Sequence, residues 1–182
     1  VMGTASTMAC IAETLGMALP GTAAIPAVHA DRLRAAEESG KRAVEIARSG
    51  LTPDKVVTEK SVENALRVLL AIGGSTNGII HLTAIAGRAG VNVSLDRLNE
   101  ISDETPVLVN LKPSGDHYME DFFAGGGLGA VLREIEHLLH LDTLSITGET
   151  LGNRLSEAPG YIDPNIVPVS YTHLRAHETV HY

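Results

Sequence analysis

Apolar residues recur along this chain mostly at intervals of three and four, the period of helices that bury one stripe. Met8, Ile11, Ala12, Leu15 and Leu19 form the first such run, opened by Gly3-Thr4-Ala5-Ser6-Thr7 and stopped by Pro20-Gly21. Residues 23–27 read as a short extended connector. From His29 a long helix follows, with Leu33, Ala36, Gly40, Ala43, Val44 and Ala47 on one face. Glu37/Lys41 and Glu38/Arg42 form i,i+4 pairs on its solvated side. Ser49-Gly50 ends that helix, and Leu51-Thr52-Pro53-Asp54 turns into the next segment. Val62, Ala65, Leu66, Leu69 and Ile72 then make a further stripe running into Gly73-Gly74. The helix after it, Asn77 to about Arg88, is apolar nearly all round, which predicts a central position. Ser94-Leu95-Asp96 opens a short amphipathic helix through Leu98 and Ile101. Gly125-Gly126-Gly127 precedes another built on Leu128, Val131, Leu132, Ile135, Leu138 and Leu139.

Two stretches break the helical period. Pro106-Val107-Leu108-Val109-Asn110 is short, rich in β-branched residues and bounded by turn formers, the signature of a strand. Leu144-Ser145-Ile146 is a second short candidate, with Thr147-Gly148-Glu149 opening a further helical turn. The predicted fold class is therefore α/β: mostly helical, with a small parallel sheet that the chain does not complete alone. Internal repeats and low-complexity linkers are absent from the sequence.

Candidate chemistry concentrates where helices begin. The stretch Gly73-Gly74-Ser75-Thr76-Asn77 leads from one helix into another, and Gly3-Thr4-Ala5-Ser6-Thr7 opens the chain in the same way. The first N–H groups of a helix have no partner within it, and with the helix dipole they favour an anion. Two hydroxyl-rich starts of this kind suit a small acidic ligand, while the same residues also serve as ordinary N-caps. Asn77 and His81 share a helix face one turn apart, where a histidine is either a catalyst or a hydrogen-bonded core residue. Loops that follow strands in α/β sheets are common ligand sites. Asp116, His117, Glu120 and Asp121 lie in and after such a loop and have the chemistry to bind metal or shuttle protons, yet their spacing matches no metal template. The glycine run at 125–127 lacks the spacing of a phosphate-binding loop or a dinucleotide fingerprint.

Composition narrows the function classes. The 182 residues carry a net charge of −8. That balance argues against a nucleic-acid footprint or binding to an anionic membrane surface. An acidic ligand must therefore be held by local helix starts or a metal. Aromatic content of only 3% with no Trp implies a core of Ala, Leu, Ile and Val, with glycines allowing close helix approach. The single cysteine, Cys10, excludes an internal disulfide and fits a reducing compartment. No apolar run reaches membrane-spanning length and no signal-peptide pattern is present, so a cytoplasmic location is expected. A first residue already at a helix start reads as a chain cut within a domain.

Taken together, Gly3-Thr4-Ala5-Ser6-Thr7-Met8, Leu19-Pro20-Gly21, Gly73-Gly74-Ser75-Thr76-Asn77, His81-Leu82-Thr83-Ala84-Ile85-Ala86 and His117-Tyr118-Met119-Glu120-Asp121 resemble the dihydroxy-acid dehydratase/phosphogluconate dehydratase family. The resemblance runs from Val1 to about Pro168, and the opening motifs look closer to its sugar-acid (aldonate) branch than to the branched-chain amino-acid enzyme. It implies a hydro-lyase that converts a 2,3-dihydroxy carboxylate to a 2-keto acid. In that family an iron–sulfur cluster acts as Lewis acid on the departing hydroxyl, Mg²⁺ grips the carboxylate end, and a serine alkoxide takes the C2 proton. The resemblance places the cluster cysteines and the Mg²⁺ ligands upstream of Val1 and the serine base downstream. What it leaves here is pocket wall: Thr4, Ser6 and Thr7 beside the cluster, with Ser75, Asn77 and His81 across from it. No catalytic residue and no metal ligand is expected in this chain, and Cys10 reads as a buried structural thiol.

Residues 1–168 are thus expected to be a partial N-terminal dehydratase domain, catalytically inactive alone, from a homo-oligomeric parent. Residues 169–182 resemble one translated frame of a sequencing adapter, which removes any metal-site meaning from His173 and His177. Two other readings stay open: a stand-alone small-anion binding module, and a purely structural helical scaffold. The scaffold predicts that the two hydroxyl-rich helix starts lie far apart.

Overall fold

The computed structural model describes residues 1–157 and 160–168, so the expectation for residues 169–182 lies outside the described residues. Helices α1 (Thr4–Thr14), α2 (Ala30–Ser49), α3 (Pro53–Val56), α4 (Glu59–Ala71), α5 (Asn77–Arg88), α6 (Leu95–Glu104), α7 (Met119–Ala124), α8 (Gly127–Glu134) and α9 (Leu151–Glu157) follow one another, with a 3₁₀ turn at Glu136–Leu138.

Helix α4 organises the packing. A Thr58–Ser61 capping box starts it, the two side chains each accepting from the other residue's backbone N–H. Its predicted stripe of Val62, Ala65, Leu66, Leu69 and Ile72 is buried throughout. Ser61, Asn64 and Arg67 are buried as well, because each finds a partner. Asn64 donates to the His140 carbonyl at 2.9 Å and accepts from the His140 N–H at 2.8 Å. Helix α1 lies along α4, α5 closes over both, and α6 and α8 pack on the remaining sides. Two hydrophobic clusters result, and α1 and α4 feed both. Cys10 and Val68 join Leu108, Phe122, Leu128 and Val131 in one; Ile11 and Leu69 join Leu82, Ala86 and Ile101 in the other.

The expected parallel sheet is not formed among the described residues. Among the described residues there is no strand pairing beyond isolated bridges, Leu111 with His117 and Leu144 with Thr150. Residues 106–111 run extended, as their β-branched content dictates, but a strand needs a neighbour to become a sheet. Their donors go to separate acceptors instead. Leu108 N–H reaches the Ala71 carbonyl at the end of α4, at 2.8 Å, and Asn110 N–H reaches Ile166 at 3.0 Å. Residues 144–146 likewise close a turn onto Thr150 and bond Gly16. The fold is helical.

Two further expectations need correction. Helix α5 is peripheral rather than central: only Gly78, Leu82 and Ala86 are buried, and Ile80 is 67% exposed. The apolar face of α2 is unburied too, with Leu33 78% exposed. That helix is tied down by polar contacts: Arg32 to the Thr22 and Ile25 carbonyls, and Arg42 to the Ile146 carbonyl. No described helix is long and apolar enough to cross a membrane.

Candidate functional site

The two hydroxyl-rich helix starts come together. Glycine makes this possible at two positions where α5 approaches α1. A Cβ on Gly74 would stand 2.9 Å from Thr7 Cγ2, and one on Gly78 would stand 2.9 Å from both Thr7 Cγ2 and Leu69 Cδ1. Without side chains there, the Ser75–Asn77 turn settles directly onto the first turn of α1.

Hydrogen bonds then cross between the elements. Thr7, fully buried, accepts the Ser75 N–H on Oγ1 at 3.0 Å. Thr4 Oγ1 and Ser75 Oγ lie 3.1 Å apart, and Asn77 Nδ2 donates to Thr4 Oγ1 at 3.0 Å. Gly3 and Thr76 occupy the cap positions without a side-chain hydrogen bond, while Ser75 Oγ accepts the Asn77 N–H at the start of α5 at 3.3 Å. The hydroxyls therefore face a shared edge, and the first N–H groups of α1 are left for another acceptor. An edge of two hydroxyls, one carboxamide and helix-start N–H groups can hold the oxygens of a small polyhydroxy acid.

The other candidates stand at the margin. Ser6 donates to the Val1 carbonyl at 3.1 Å. His81 is exposed one turn beyond Asn77, with no hydrogen bond to the cluster among the described residues. In the 112–121 segment, Asp116 N–H bonds Asn110 Oδ1, and Asp121 accepts the Tyr118 N–H at 2.7 Å, starting α7. His117 Nδ1 is 3.8 Å from Asp121 Oδ2, and Glu120 is exposed. Among the described residues, no three His, Cys, Asp or Glu side chains gather where they could hold a metal ion. Cys10 is buried, and its thiol is pushed up to about 12 by burial, with the Glu13 charge adding to the effect. It is a thiol, not a ligand thiolate.

Two features escaped the sequence reading. The Lys112 carbonyl accepts the Met2 N–H at 2.7 Å, which sets the loop beside the start of α1. There Lys112 Nζ bonds the Tyr118 hydroxyl at 2.9 Å and lies 4.3 Å from its ring centroid. Nothing in the spacing signals this, because a loop has no period. At the far end of α1, buried Glu13 accepts Gly21 N–H and Ala23 N–H, each at 2.8 Å, and so fixes the Leu19-Pro20-Gly21 turn. A glutamate placed between Ile11 and Leu15 on an apolar helix was the available sign.

A family model described as dihydroxy-acid/6-phosphogluconate dehydratase N-terminal matches residues 1–154. The chain is 45% identical over 159 residues to a dihydroxy-acid dehydratase of Caldanaerobacter subterraneus subsp. tengcongensis, covering 86% of this chain and 29% of that protein. It is 49% identical over 156 residues to a protein of the same name from Methanococcoides burtonii, and 48% to one from Methanosarcina barkeri, each covering 86% of this chain and 28% of the relative. The chain thus spans under a third of the length of these relatives. Their names refer to dihydroxy acids and lend no support to the sugar-acid branch.

Proposed function

The chain belongs to the dihydroxy-acid/6-phosphogluconate dehydratase family through its N-terminal domain, and from that premise we propose that the Thr4–Ser75–Asn77 edge is one wall of a hydro-lyase site. The substrate is a 2,3-dihydroxy carboxylate and the product a 2-keto acid. The observation that carries this reading is the meeting of the two helix starts, with Thr4 Oγ1 shared between Ser75 Oγ at 3.1 Å and Asn77 Nδ2 at 3.0 Å. In the proposed wall Thr4, Ser75 and Asn77 hydrogen-bond substrate hydroxyl or carboxylate oxygens. Thr7 fixes the Ser75 backbone, and Ser6 and His81 form the margin. The scaffold reading required the two starts to be remote, and they are in contact. The binding-module reading draws on the same hydroxyls; the family match favours the dehydratase.

The described residues do not fit the iron–sulfur cluster and Mg²⁺ that the resemblance implies. Cys10 is buried with its thiol pushed up to about 12, and among the described residues no three His, Cys, Asp or Glu side chains gather where they could hold a metal ion. We therefore derive no step through either group and assign this chain positioning of substrate only. The 182 residues alone are expected to be inactive, and the whole enzyme is read as a cytoplasmic homo-oligomer acting on a small acid.

The test is a chimera in which residues 1–154 replace the matching segment of the Methanosarcina barkeri relative. Thr4→Val or Asn77→Ala in that chimera lowers kcat/KM at least about tenfold, equivalent to about 1.4 kcal/mol of transition-state binding, with the melting temperature unchanged. An unaltered kcat/KM overturns the assignment. Turnover of a dihydroxy acid by the isolated chain after anaerobic cluster reconstitution overturns its expected inactivity.

A further inference from the structure

Helix α2 presents an apolar face to solvent. Leu33, Ala36, Gly40, Val44 and Ala47 are all exposed, Leu33 by 78% and Val44 by 53%. With about 3.6 residues per turn these five form one stripe, and Arg42 stands on the opposite side of the helix. Arg42 bonds the Ile146 carbonyl, and Ala35 and Ile46 beside it are half-buried. The stripe therefore points away from the rest of the described chain. Gly40 lies at its middle, where glycine costs helix stability relative to alanine. A Cβ there would meet nothing within 4 Å, so no contact among the described residues asks for glycine.

The stripe is complementary to itself. Leu33 and Ala47 lie seven residues on either side of Gly40, and Ala36 and Val44 lie four on either side. An antiparallel pair of α2 helices with its twofold axis at Gly40 therefore sets each large side chain of one copy against an alanine of the other. Gly40 meets Gly40, which lets the two backbones approach. A twofold axis of this kind also brings like flanks together. On one flank Ala43 meets Ala36 of the second copy. On the other, Glu37 and Lys41, an ion pair at 2.8 Å within each copy, meet Lys41 and Glu37 of the second. Four charges then alternate in sign around the axis. Further out, Arg34 faces both Glu45 and Arg48 of the second copy, and these contributions oppose each other.

We propose that α2 is an isologous interface whose occupant is the α2 helix of a second copy of this chain. This interface rests on the homo-oligomer reading above and supplies its surface and symmetry. Size matching and charge alternation about one residue are what a self-pairing helix requires, and an unrelated partner requires neither. A single helix pair is a small interface, so the dimer of this chain is reversible.

Sedimentation velocity on the full chain tests the interface. The expected result is a monomer–dimer equilibrium whose Kd rises at least about tenfold with Leu33→Glu and with Gly40→Leu. Both positions are exposed in the single copy, so circular dichroism should show the helix content unchanged. Glu37→Lys sets like charges around the axis and weakens the dimer, whereas Glu37→Lys combined with Lys41→Glu restores it. Gly40→Cys forms a disulfide dimer on mild oxidation because residue 40 faces itself, while Glu38→Cys, on the far side of the helix, does not. The natural thiol, Cys10, is buried and does not compete. A chain that stays monomeric, a dimer indifferent to Leu33→Glu and Gly40→Leu, or equal cross-linking of Gly40→Cys and Glu38→Cys would each overturn the interface. The mass of the chimera described above judges the homo-oligomer reading separately. An oligomeric chimera unaffected by Gly40→Leu leaves that reading standing and removes only the α2 surface, and a monomeric chimera removes both.

Discussion

At the residue scale, the contact between α1 and α5 depends on two glycines and one threonine. A Cβ on Gly78 would press on Leu69, Thr7 and Ile11, at 2.9, 2.9 and 3.3 Å. Gly78→Ala is therefore expected to destabilise the chain by about 1–3 kcal/mol through overpacking, read from a urea melt. Gly87, on the same helix, has nothing within 4 Å of an added Cβ. Gly87→Ala should stabilise by up to about 1 kcal/mol, because alanine is the better helix former. Similar losses from both variants would show that helix propensity and not approach distance governs this contact. Thr7→Val keeps the shape but orphans the Ser75 N–H, and is expected to cost about 1–2 kcal/mol in the same melt. The sequence made Thr4, Ser6, Thr7, Ser75 and Asn77 legible as polar groups at helix starts. It did not say that Thr7 serves the other helix, since that bond spans elements far apart in the chain.

At the element scale, the join between α4 and α6 adds ion pairs to the packing of buried Ile101. Arg67, 6% exposed, bonds Glu63 at 3.2 Å and Glu104 at 2.7 Å, while Arg97 bonds Glu63 at 2.8 Å. Burial works to raise the Glu63 carboxyl, but the hydrogen bonds and charges of Arg97 and Arg67 outweigh it and hold the group below its ordinary value. The sign follows: a carboxyl depressed in the folded state contributes stability above its ordinary value of 4.5 and loses it as pH falls through the lower folded value. Glu63→Gln should therefore lower the melting temperature at pH 7, with a cost of about 1 kcal/mol given the solvent around Arg97. The gap to the parent chain should close as pH falls below the ordinary carboxylate range. A gap independent of pH would show the loss to be one of packing. The helical stripe of α4 was readable from its period, but its buried Asn64 and Arg67 were not, since polar residues go inside only where a partner waits. Helix α5 failed in the opposite sense, because an apolar surface says that a face can be buried and not that anything covers it.

At the scale of the whole molecule, two clusters share α1 and α4, so opening either disturbs both. Cys10 reports on this. Its thiol, buried and pushed up to about 12, should resist a thiol reagent in the folded chain and react only on global opening. Labelling at the rate of a free cysteine in native buffer would show that α1 detaches locally. Because the folded thiol holds its proton more tightly than the unfolded one, stability should also decline as pH rises from about 9 towards about 12. The sequence by itself determined the longer helices α1, α2, α4, α5 and α6 and the start of α8, the polar groups at helix starts, the buried cysteine and the family motifs. All of these rest on the order and spacing of neighbouring residues, which local sterics and amphipathic period convert directly into structure. Tertiary structure alone decided that residues 106–111 find no partner strand among the described residues, that α4 and not α5 is enclosed, and that Thr4, Ser75 and Asn77 share one edge. Each of those depends on which surfaces meet across long stretches of chain, and a one-dimensional pattern records what a surface is made of but not what lies against it.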